Sequence, residues 1–365
     1  MAKQNPEPAK IARLRRQLLE WYSRNRRDLP WRRNPDPYSI WVSEIMLQQT
    51  RVAVVVDRYQ IFLARFPTLV SLAQAPEQDV LALWSGLGYY RRARMLHKAA
   101  NFVANQLGGN LPASSEALRM LPGIGAYTAA AIASIAHGEV IAVVDGNVER
   151  VLCRLEGWSA GSRANGTALK HKIEDLAAQL VDSVHPGDFN QALMELGATV
   201  CLPRNPQCLM CPVAGDCKTK GEHKTALRPR MQSCEVAHAL SVRTGRQPNR
   251  SGREVLLEQR PASLTVMPGL WELPVLKSAA VPAKKLRMTV RHAIMQVNYY
   301  VRIRTVSEDD AEAMTVAAGE RRWVSITEAG GMALTGLARK VLTRAHLLAG
   351  APRDAIAPEP AGDVL

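Results

Sequence analysis

The chain has 365 residues, and its 47 lysines and arginines against 33 aspartates and glutamates give a formal net charge of +14. Charged residues make up 22% of the sequence and hydrophobic residues 47%, a balance that excludes a fibrous or wholly disordered protein. The length suits two or three domains, and the positive charge favours binding to a polyanion.

Membrane and secretory segments are not expected. The longest nearly apolar stretch, 126–136, is shorter than the ~18 residues that a membrane-spanning helix needs. The first ten residues lack the apolar core of a secretory signal. Six cysteines are too few for a disulfide scaffold in a chain of this length. We therefore expect a protein of a reducing compartment, the cytoplasm.

Residues 1–217 are predicted to form an all-α domain of roughly ten helices, because apolar side chains recur at helical spacing. The clearest runs are Ile11, Leu14, Leu18 and Tyr22, then Leu96, Ala99, Val103 and Leu107, then Leu169, Ile173, Leu176 and Leu180. Proline and glycine separate these runs, and we find no convincing alternation of the kind that strands show.

A glycine-containing turn precedes one of these helices. Leu121-Pro122-Gly123-Ile124-Gly125 comes directly before a helix of small residues predicted over 126–136. Gly123 and Gly125 allow the backbone to turn tightly and to approach another backbone, and the first N–H groups of the helix favour an anion. The pattern is typical of a helix-hairpin-helix that binds a DNA phosphate, although an ordinary interhelical turn is the alternative for this motif alone.

Four of the six cysteines form a cluster with the spacing C-x6-C-x2-C-x5-C. They are Cys201, Cys208, Cys211 and Cys217. One C-x-x-C pair flanked by single cysteines in a short loop favours a [4Fe–4S] cluster, and a structural zinc site remains the alternative. Arg204 lies in this loop, whose expected work is to shape a basic surface that contacts DNA. Cys153 and Cys234 fall outside the pattern and are predicted to be free thiols.

The composition changes after the cysteine loop. Residues 218–234 form a basic linker, and 235–350 are predicted to form an α+β domain, followed by a disordered tail at 351–365. The predicted strands are 235–242, 254–259, 297–306 and 322–324, with one helix over 337–348.

Together these motifs resemble the helix-hairpin-helix DNA glycosylase superfamily of the iron–sulfur type, and within it the MutY family of adenine DNA glycosylases. The segments that carry the resemblance are 29–32 (LPWR), 41–50 (WVSEIMLQQT), 84–90 (WSGLGYY), the hairpin, 144–148 (VDGNV) and 189–197 (FNQALMELG). The resemblance implies a helical glycosylase domain with one [4Fe–4S] cluster. It also implies base-excision repair, in which the N-glycosidic bond of adenine mispaired with 8-oxoguanine or guanine in double-stranded DNA is hydrolysed.

One position bears on the type of glycosylase. In bifunctional relatives such as endonuclease III, a lysine in the helix after the hairpin attacks the sugar and forms a Schiff base. Here that position holds Tyr127, and a phenol cannot form an imine. The resemblance therefore implies a monofunctional enzyme without an efficient strand-cutting step.

Two carboxyls suit the chemistry of glycosidic cleavage, which needs a proton on the leaving base and a negative charge near the sugar cation. Glu44 lies in a predicted helix among apolar residues, where desolvation would raise its pKa. Asp145 precedes Gly-Asn at an apparent helix start, where N–H groups favour the ionised form. From the residues alone, a solvated glutamate and a helix cap are the alternatives, and the resemblance assigns Glu44 as acid and Asp145 as stabiliser or transient nucleophile.

The resemblance also implies roles for other residues. It places Tyr127 and Asn147 near the reacting sugar and water. It places Trp31, Arg32 and Glu195 around the adenine, which leaves the duplex to react. It makes Gln49 and Tyr89 the side chains that fill the gap left in the DNA. For Trp31 and Tyr89, packing in the core is the alternative.

The C-terminal part resembles the Nudix-like lesion-recognition domain of the same family over 255–261 and 268–274. Residues 275–290 contain no glutamate, so the Mg²⁺ ligands of a Nudix hydrolase are missing and a binding module is expected. The family's Phe-Ser-His loop is replaced after His292 by Ala-Ile-Met295-Gln296. Because methionine offers no hydrogen-bond donor, either Gln296 supplies the polar contact or the preference for 8-oxoguanine is reduced.

Two other functions remain open. Another helix-hairpin-helix glycosylase would remove thymine or an oxidised pyrimidine, although such relatives generally lack the C-terminal domain. A non-catalytic lesion-binding protein would keep the scaffold, although the presence of both Glu44 and Asp145 disfavours it. We expect a cytoplasmic, nucleoid-associated monomer that binds DNA and no membrane.

Overall fold

The computed structural model describes residues 8–158, 166–222, 231–245, 252–314 and 319–349. Within these residues the chain forms two compact units. The first unit holds 8–74 and 95–222, and the second holds 75–94 together with the described residues from 231 onward. The predicted tail at 351–365 lies outside the described residues, as does 223–230 of the predicted linker.

The described part of 8–222 contains eleven α-helices and no strand, as the helical spacing predicts. The helices are α1 (Pro8–Asn25), α2 (Pro37–Leu47), α3 (Val52–Arg65), α4 (Leu69–Ala73), α5 (Glu77–Leu83), α6 (Arg91–Gln106), α7 (Ser115–Leu118), α8 (Ala126–His137), α9 (Gly146–Glu156), α10 (Gly166–Leu180) and α11 (Pro186–Thr199). The three predicted runs correspond to α1, α6 and α10, and the predicted helix of small residues is α8. None of the described helices is long and apolar enough to cross a lipid bilayer.

One core of the first unit forms where α1, α9, α10 and α11 pack against one another. Leu14, Leu18 and Tyr22 line one face of α1 and are buried in this core. Burial of each such side chain contributes roughly 2 kcal/mol, which is why the helical spacing of apolar residues predicts this packing.

Helix α2 is the buried centre of the site described below. It begins at the N-cap Asp36, whose side chain accepts the backbone N–H of Ser39, and it buries eight of its eleven residues, Glu44 among them. It packs against α8, whose segment 129–133 is made mostly of buried alanines. Because small side chains allow two helix axes to approach closely, the carboxyl of Glu44 is held inside the protein rather than at its surface.

The second unit is an α+β structure. Its strands and remaining helices are β1 (Gln232–Leu240), β2 (Val242–Thr244), β3 (Arg253–Gln259), β4 (Trp271–Glu272), β5 (Leu286–Ile294), β6 (Val297–Thr305), α12 (Glu308–Glu312), β7 (Arg321–Ser325), α13 (Ile326–Gly331) and α14 (Gly336–Arg344). One sheet has the order β1-β6-β5, with β1 parallel and β5 antiparallel to β6. In the other sheet β3 pairs antiparallel with β2, β4 and β7.

The predicted strands and helix of this part are present, with shifted ends. The predicted strand over 235–242 stops at Leu240, and the predicted helix over 337–348 stops at Arg344. Three strands were not predicted: β2 and β4, which have only three and two residues, and β5, whose exposed side chains hide its alternation. The short helices α12 and α13 were not predicted either. The sequence also assigned 75–94 to the helical domain, whereas the structure groups these residues with the second unit.

Candidate active site

A cleft of about 770 Å³ opens in the first unit between α2, α8, α11 and the start of α9. Eight residues assigned from the sequence line it: Trp31, Arg32, Glu44, Gln49, Tyr127, Asp145, Asn147 and Glu195. The structure therefore brings the two candidate carboxyls, which are far apart in the sequence, into one cavity. A cleft that combines apolar walls with converging titratable groups is the usual form of an active site.

Glu44 lies on α2 with 6% of its surface exposed. Its Oε2 atom accepts a hydrogen bond from the hydroxyl of Tyr127 at 2.9 Å. Burial raises the pKa of Glu44 to about 7, while the hydrogen bond from Tyr127 opposes the rise and the negative charge of Asp145 adds to it. A carboxyl with this pKa is protonated in a large fraction of molecules near neutral pH, as a general acid must be.

Tyr127 enters the cleft from the first turn of α8. Its hydroxyl lies 2.9 Å from Glu44 Oε2 and 3.4 Å from the sulfur of Met194. Burial raises the pKa of Tyr127 well above the usual value, and the negative charges of Glu44 and Asp145 raise it further. The phenol therefore stays protonated and serves as a hydrogen-bond donor to the carboxyl, and it offers no amine for a Schiff base.

Asp145 is the N-cap of α9. Its Oδ1 accepts the backbone N–H of Val148 at 2.7 Å, and its Oδ2 accepts the side-chain amide of Asn147 at 2.9 Å. The residue is thus a helix cap and a wall of the cleft at once, so the two interpretations of Asp145 from the sequence do not exclude each other. The two donors orient a carboxylate whose charge can face a positive charge that develops in the cleft.

Two residues that sequence reasoning missed hold this end of α9. Arg150 donates through Nη2 to the side-chain oxygen of Asn147 and to the carbonyl of Gly197, both at 2.8 Å, and through Nε to the carbonyl of Cys201 at 2.9 Å. A Cβ atom on Gly197 would lie 2.6 Å from the Cβ of Asn147, so this close approach of α11 to α9 needs glycine. The bonds connect the cysteine loop to Asn147 and, through its amide, to Asp145.

The aromatic wall of the cleft is Trp31, on a 3-10 helix over Pro30–Arg32. Trp31 is buried, and its ring meets that of Tyr59 edge to face, with centroids 5.5 Å apart. It packs in the core and also lines the cleft, so core packing does not exclude the place around the base that the resemblance implies.

Glu195 lies at the other side of the cleft and is fully buried. Arg32 donates through Nη2 to Glu195 Oε2 at 2.8 Å. Arg27 donates to both carboxylate oxygens at 2.8 and 2.9 Å. Burial alone would raise the pKa of Glu195, but the hydrogen bonds and charges of the two arginines lower it to about 2. Sequence reasoning missed Arg27, because nothing in the basic segment ahead of LPWR distinguishes it from the neighbouring arginines.

The two glycines of the hairpin before α8 differ in their backbone conformation and in the space around them. Gly123 has a φ of 77°, and a Cβ there would lie 2.5 Å from the Cβ of Met95, so the packing of the chain itself requires glycine. Gly125, the N-cap of α8, has a φ of −87°, and nothing lies within 4 Å of a Cβ built on it. The expectation that both glycines serve the turn is therefore wrong for Gly125, whose open side leaves room for another molecule at the helix N-terminus.

The two side chains that the resemblance assigns to the gap in the DNA are both exposed and sit on strained backbone. Gln49, at the rim of the cleft, has a φ of 53°, and Tyr89, in the second unit, has a φ of 44° with 52% of its surface exposed. Left-handed conformations are uncommon for residues other than glycine and cluster at functional sites.

The four cysteines of the loop, Cys201, Cys208, Cys211 and Cys217, line one cavity with apolar walls. Arg154 donates to the sulfur of Cys201 at 3.4 Å, and the sulfur of Cys217 donates to the carbonyl of Arg154 at 3.3 Å. Within the described residues, no three side chains of the metal-binding types are close enough together to hold a single ion. The four thiols surround a space rather than a point, and this arrangement fits a cluster of several atoms.

The remaining predicted residues lie around these features. Arg204 is exposed in the cysteine loop, Cys153 is buried in the core behind it, and Cys234 is exposed on β1. Met295 and Gln296 form the turn between β5 and β6, where Met295 has a φ of 54° and 73% of its surface exposed. His292 is half-buried on β5, and burial lowers the pKa of its imidazole.

Comparison with known proteins agrees with this geometry. Residues 42–179 match the model of the HhH-GPD superfamily base excision DNA repair protein, and 201–217 match that of the iron–sulfur binding domain of endonuclease III. The adenine DNA glycosylase of Rattus norvegicus is 51% identical over 219 residues, 58% of this chain and 42% of that protein. The one of Arabidopsis thaliana is 40% identical over 302 residues, 72% of this chain and 47% of that protein.

A solved structure of a thermostable thymine-DNA glycosylase is 32% identical with a TM-score of 0.53, and the match covers 58% of this chain and 97% of that one. The chain spans about half the length of the curated relatives it matches. Helical fold, hairpin and cysteine loop are thus shared with repair proteins that act on DNA bases. The chain belongs to the HhH-GPD superfamily of base excision DNA repair proteins, and its cysteine loop binds a [4Fe–4S] cluster.

Proposed function

We propose that this protein is a monofunctional adenine DNA glycosylase of base-excision repair. Its substrate is adenine mispaired with 8-oxoguanine or guanine in double-stranded DNA. The observation that carries the proposal is the presence, in one cleft, of the buried Glu44 with a pKa of about 7 and of the Asp145 carboxylate. The names of the curated relatives support adenine as the base.

The reaction begins with proton transfer. Protonated Glu44 gives its proton to N7 of the adenine, the bond between C1′ and N9 breaks, and the base leaves with the bonding electron pair. Asp145 stabilises the oxocarbenium ion by charge or by a transient covalent bond to C1′. Water then adds to C1′ and loses a proton to the deprotonated Glu44, so the sugar ends as a hydroxylated abasic site. Tyr127 and Asn147 hold the two carboxyls in place during these steps.

The flipped adenine is held on the Glu195 side of the cleft. The aromatic ring of Trp31 offers an apolar wall, and the buried Glu195 carboxylate, which accepts hydrogen bonds from Arg27 and Arg32, fixes Arg32 at this side of the cleft. The arginine pairs of Glu195 keep the carboxylate charged and fixed before the base arrives.

The duplex is held by the rim of the cleft and by parts of the chain outside it. Gln49 and Tyr89 fill the space that the flipped adenine leaves, and the backbone around Gly123 and Gly125 binds a phosphate without reading sequence. When bound, the [4Fe–4S] cluster makes the loop over 201–217 rigid. Arg204 of that loop contacts the DNA backbone. The net charge of +14 supports such binding.

The residues 235–350 form a Nudix-like domain that recognises the base opposite the adenine. The α+β structure of the described part and the exposed turn with Met295 and Gln296 support this role. Because Met295 offers no hydrogen-bond donor where the family has serine, the preference for 8-oxoguanine over guanine is reduced.

Excision of thymine is the second candidate, favoured by the similarity to a thymine-DNA glycosylase. Single-turnover excision assays on duplexes with adenine opposite guanine, 8-oxoguanine, cytosine and thymine, and with thymine opposite guanine, separate the two. We expect release of adenine opposite guanine and 8-oxoguanine with a small difference between them. Release of thymine alone would overturn the proposed substrate, and a strong preference for 8-oxoguanine would refute the reduced lesion preference.

A further inference from the structure

The turn that presents Tyr89 has an unusual concentration of left-handed backbone. Gly86, Gly88 and Tyr89 have φ values of 101°, 68° and 44°. For a residue with a side chain this conformation is strained, so neighbouring contacts must hold Tyr89 there. Its ring is half-exposed, and burial of the ring therefore explains only part of the stabilisation.

Arg92 lies in the first turn of α6, and its side chain supplies these contacts. Its Nη2 atom donates to the carbonyl of Leu87 at 2.9 Å and to that of Gly88 at 3.3 Å. Its guanidinium carbon lies 5.4 Å from the ring centroid of Trp84 and 5.6 Å from that of Tyr89. Trp84 donates its indole N–H to the same carbonyl of Gly88 at 3.0 Å. A planar group that bonds two carbonyls while facing two rings fixes both the backbone and the aromatic side chain.

The turn is also tied to the C-terminal part of the second unit. Tyr90 is buried, and its hydroxyl donates to the carbonyl of Leu334 at 3.0 Å. Arg339 of α14 donates through Nε to the hydroxyl of Ser85 at 2.7 Å. The two bonds hold both ends of the turn, with Tyr89 between them.

We propose that Arg92 is a positioning residue for Tyr89: it holds the exposed ring in the orientation that stacks within a DNA duplex, and Leu334 and Arg339 anchor the turn that it organises. The inference rests on the proposed function, because that function makes Tyr89 a side chain that enters the DNA. An aromatic ring fixed before binding loses less conformational freedom on stacking, and this increases affinity for the duplex.

A double-mutant cycle tests the inference. Affinity is measured for a duplex that carries a hydrolysis-resistant 2′-fluorinated adenosine opposite guanine, with the full chain and with Tyr89→Ala, Arg92→Gln and the double variant. Each single variant is expected to lose about tenfold or more in affinity, and the double variant no more than Tyr89→Ala within about a factor of two. The proposal would be overturned if the double variant lost the product of the two single losses. It would also be overturned if Tyr89→Ala left the affinity unchanged.

A matched control is Arg321→Gln in the same unit, which loses a part-buried arginine that bonds Glu258 and two backbone carbonyls. Any loss of affinity in Arg321→Gln should multiply with the loss in Tyr89→Ala when the two substitutions are combined. If Arg92→Gln does not fold, as judged by thermal unfolding and iron–sulfur absorption, Tyr90→Phe is used in the cycle instead. It removes only the hydroxyl that bonds Leu334, and its loss of affinity should likewise vanish in the Tyr89→Ala background.

Two further readouts separate positioning from a direct phosphate contact. Arg92→Lys keeps the charge but not the planar fork, so it should not restore affinity, whereas a phosphate contact would be rescued. The log–log slope of affinity against salt should be unchanged in Arg92→Gln, and a decrease by about 0.9 would assign Arg92 to a phosphate and overturn the proposal. Because binding needs no base release, a chain that binds DNA but frees no adenine would refute the proposed activity and leave this test intact.

Discussion

The hydroxyl of Tyr127 donates to Oε2 of Glu44 across 2.9 Å and joins α8 to the buried side of α2. The contact exists because the alanines of α8 let α2 approach closely. It stabilises the ionised carboxyl and so opposes the effect of burial, which leaves the pKa of Glu44 at about 7. Position 127 thus tunes the group that we propose as the acid.

The rate of base excision should fall as the pH rises through about 7. Glu44 acts in its protonated form, burial raises its pKa to about 7, and each pH unit above that value removes about nine tenths of the remaining acid. This falling limb of the pH–rate profile is measured by single-turnover rates of adenine release between pH 5 and 9 at saturating enzyme. A rate that stays level or rises to pH 9 would contradict the role of Glu44.

The variant Tyr127→Phe should shift the midpoint of this limb to higher pH. The lost hydrogen bond had favoured the ionised form of Glu44, so its removal raises the carboxyl pKa further. The control is Tyr38→Phe, which removes a buried hydroxyl that bonds the carbonyl of Phe66 and should leave the midpoint in place. A midpoint that moves to lower pH in Tyr127→Phe would contradict the assignment.

The variant Arg150→Gln should slow excision by about tenfold or more while duplex affinity is retained, a loss of about 1.4 kcal/mol of transition-state stabilisation. Arg150 bonds Asn147 and the carbonyls of Gly197 and Cys201, so its loss releases the amide that orients Asp145. Single-turnover and binding measurements separate the two effects.

The matched control for Arg150→Gln is Arg15→Gln. Arg15 also bonds several backbone carbonyls, at the end of α10. It should lower the melting temperature without slowing the chemical step. Equal loss of rate in both variants would mean that Arg150 acts only through general stability.

The glycines of the hairpin should respond differently to alanine. Gly123→Ala places a Cβ 2.5 Å from Met95 on left-handed backbone, and should destabilise the fold by about 1–3 kcal/mol. Gly125→Ala meets open space at ordinary φ, so thermal stability should be kept while affinity for DNA falls. Denaturant unfolding and duplex binding measure the pair, and a strong destabilisation by Gly125→Ala would contradict this division of roles.

The helical fold could be predicted because apolar spacing alone defines helices such as α1, where Leu14, Leu18 and Tyr22 form one buried face. Strand β5 could not be predicted, because only one of its side chains is fully buried. The exposed positions carry a mixture of apolar and charged residues that obscures the alternation. The grouping of 75–94 with the second unit was also hidden, since single long-range bonds such as that from Tyr90 to Leu334 leave no periodic signal.

For the site, the resemblance named Glu44 and Asp145, but only the structure shows how their surroundings are built. Arg27 and Arg150 were missed because an arginine that bonds carbonyls or a buried carboxylate looks, in a basic chain, like any surface arginine. Likewise, the sequence alone could not show that Gly123 is needed because a Cβ there would clash with Met95. Nor could it show that the space around a Cβ at Gly125 is open.

The central claim is that one buried carboxyl delivers the proton that frees adenine. The most direct measurement is the release of free adenine from a duplex with adenine opposite 8-oxoguanine, by the parent chain and by Glu44→Gln, with duplex affinity determined in parallel. The account predicts that the glutamine variant binds the duplex with near-parent affinity and releases adenine at least about a thousandfold more slowly. Release at the parent rate by Glu44→Gln would contradict it.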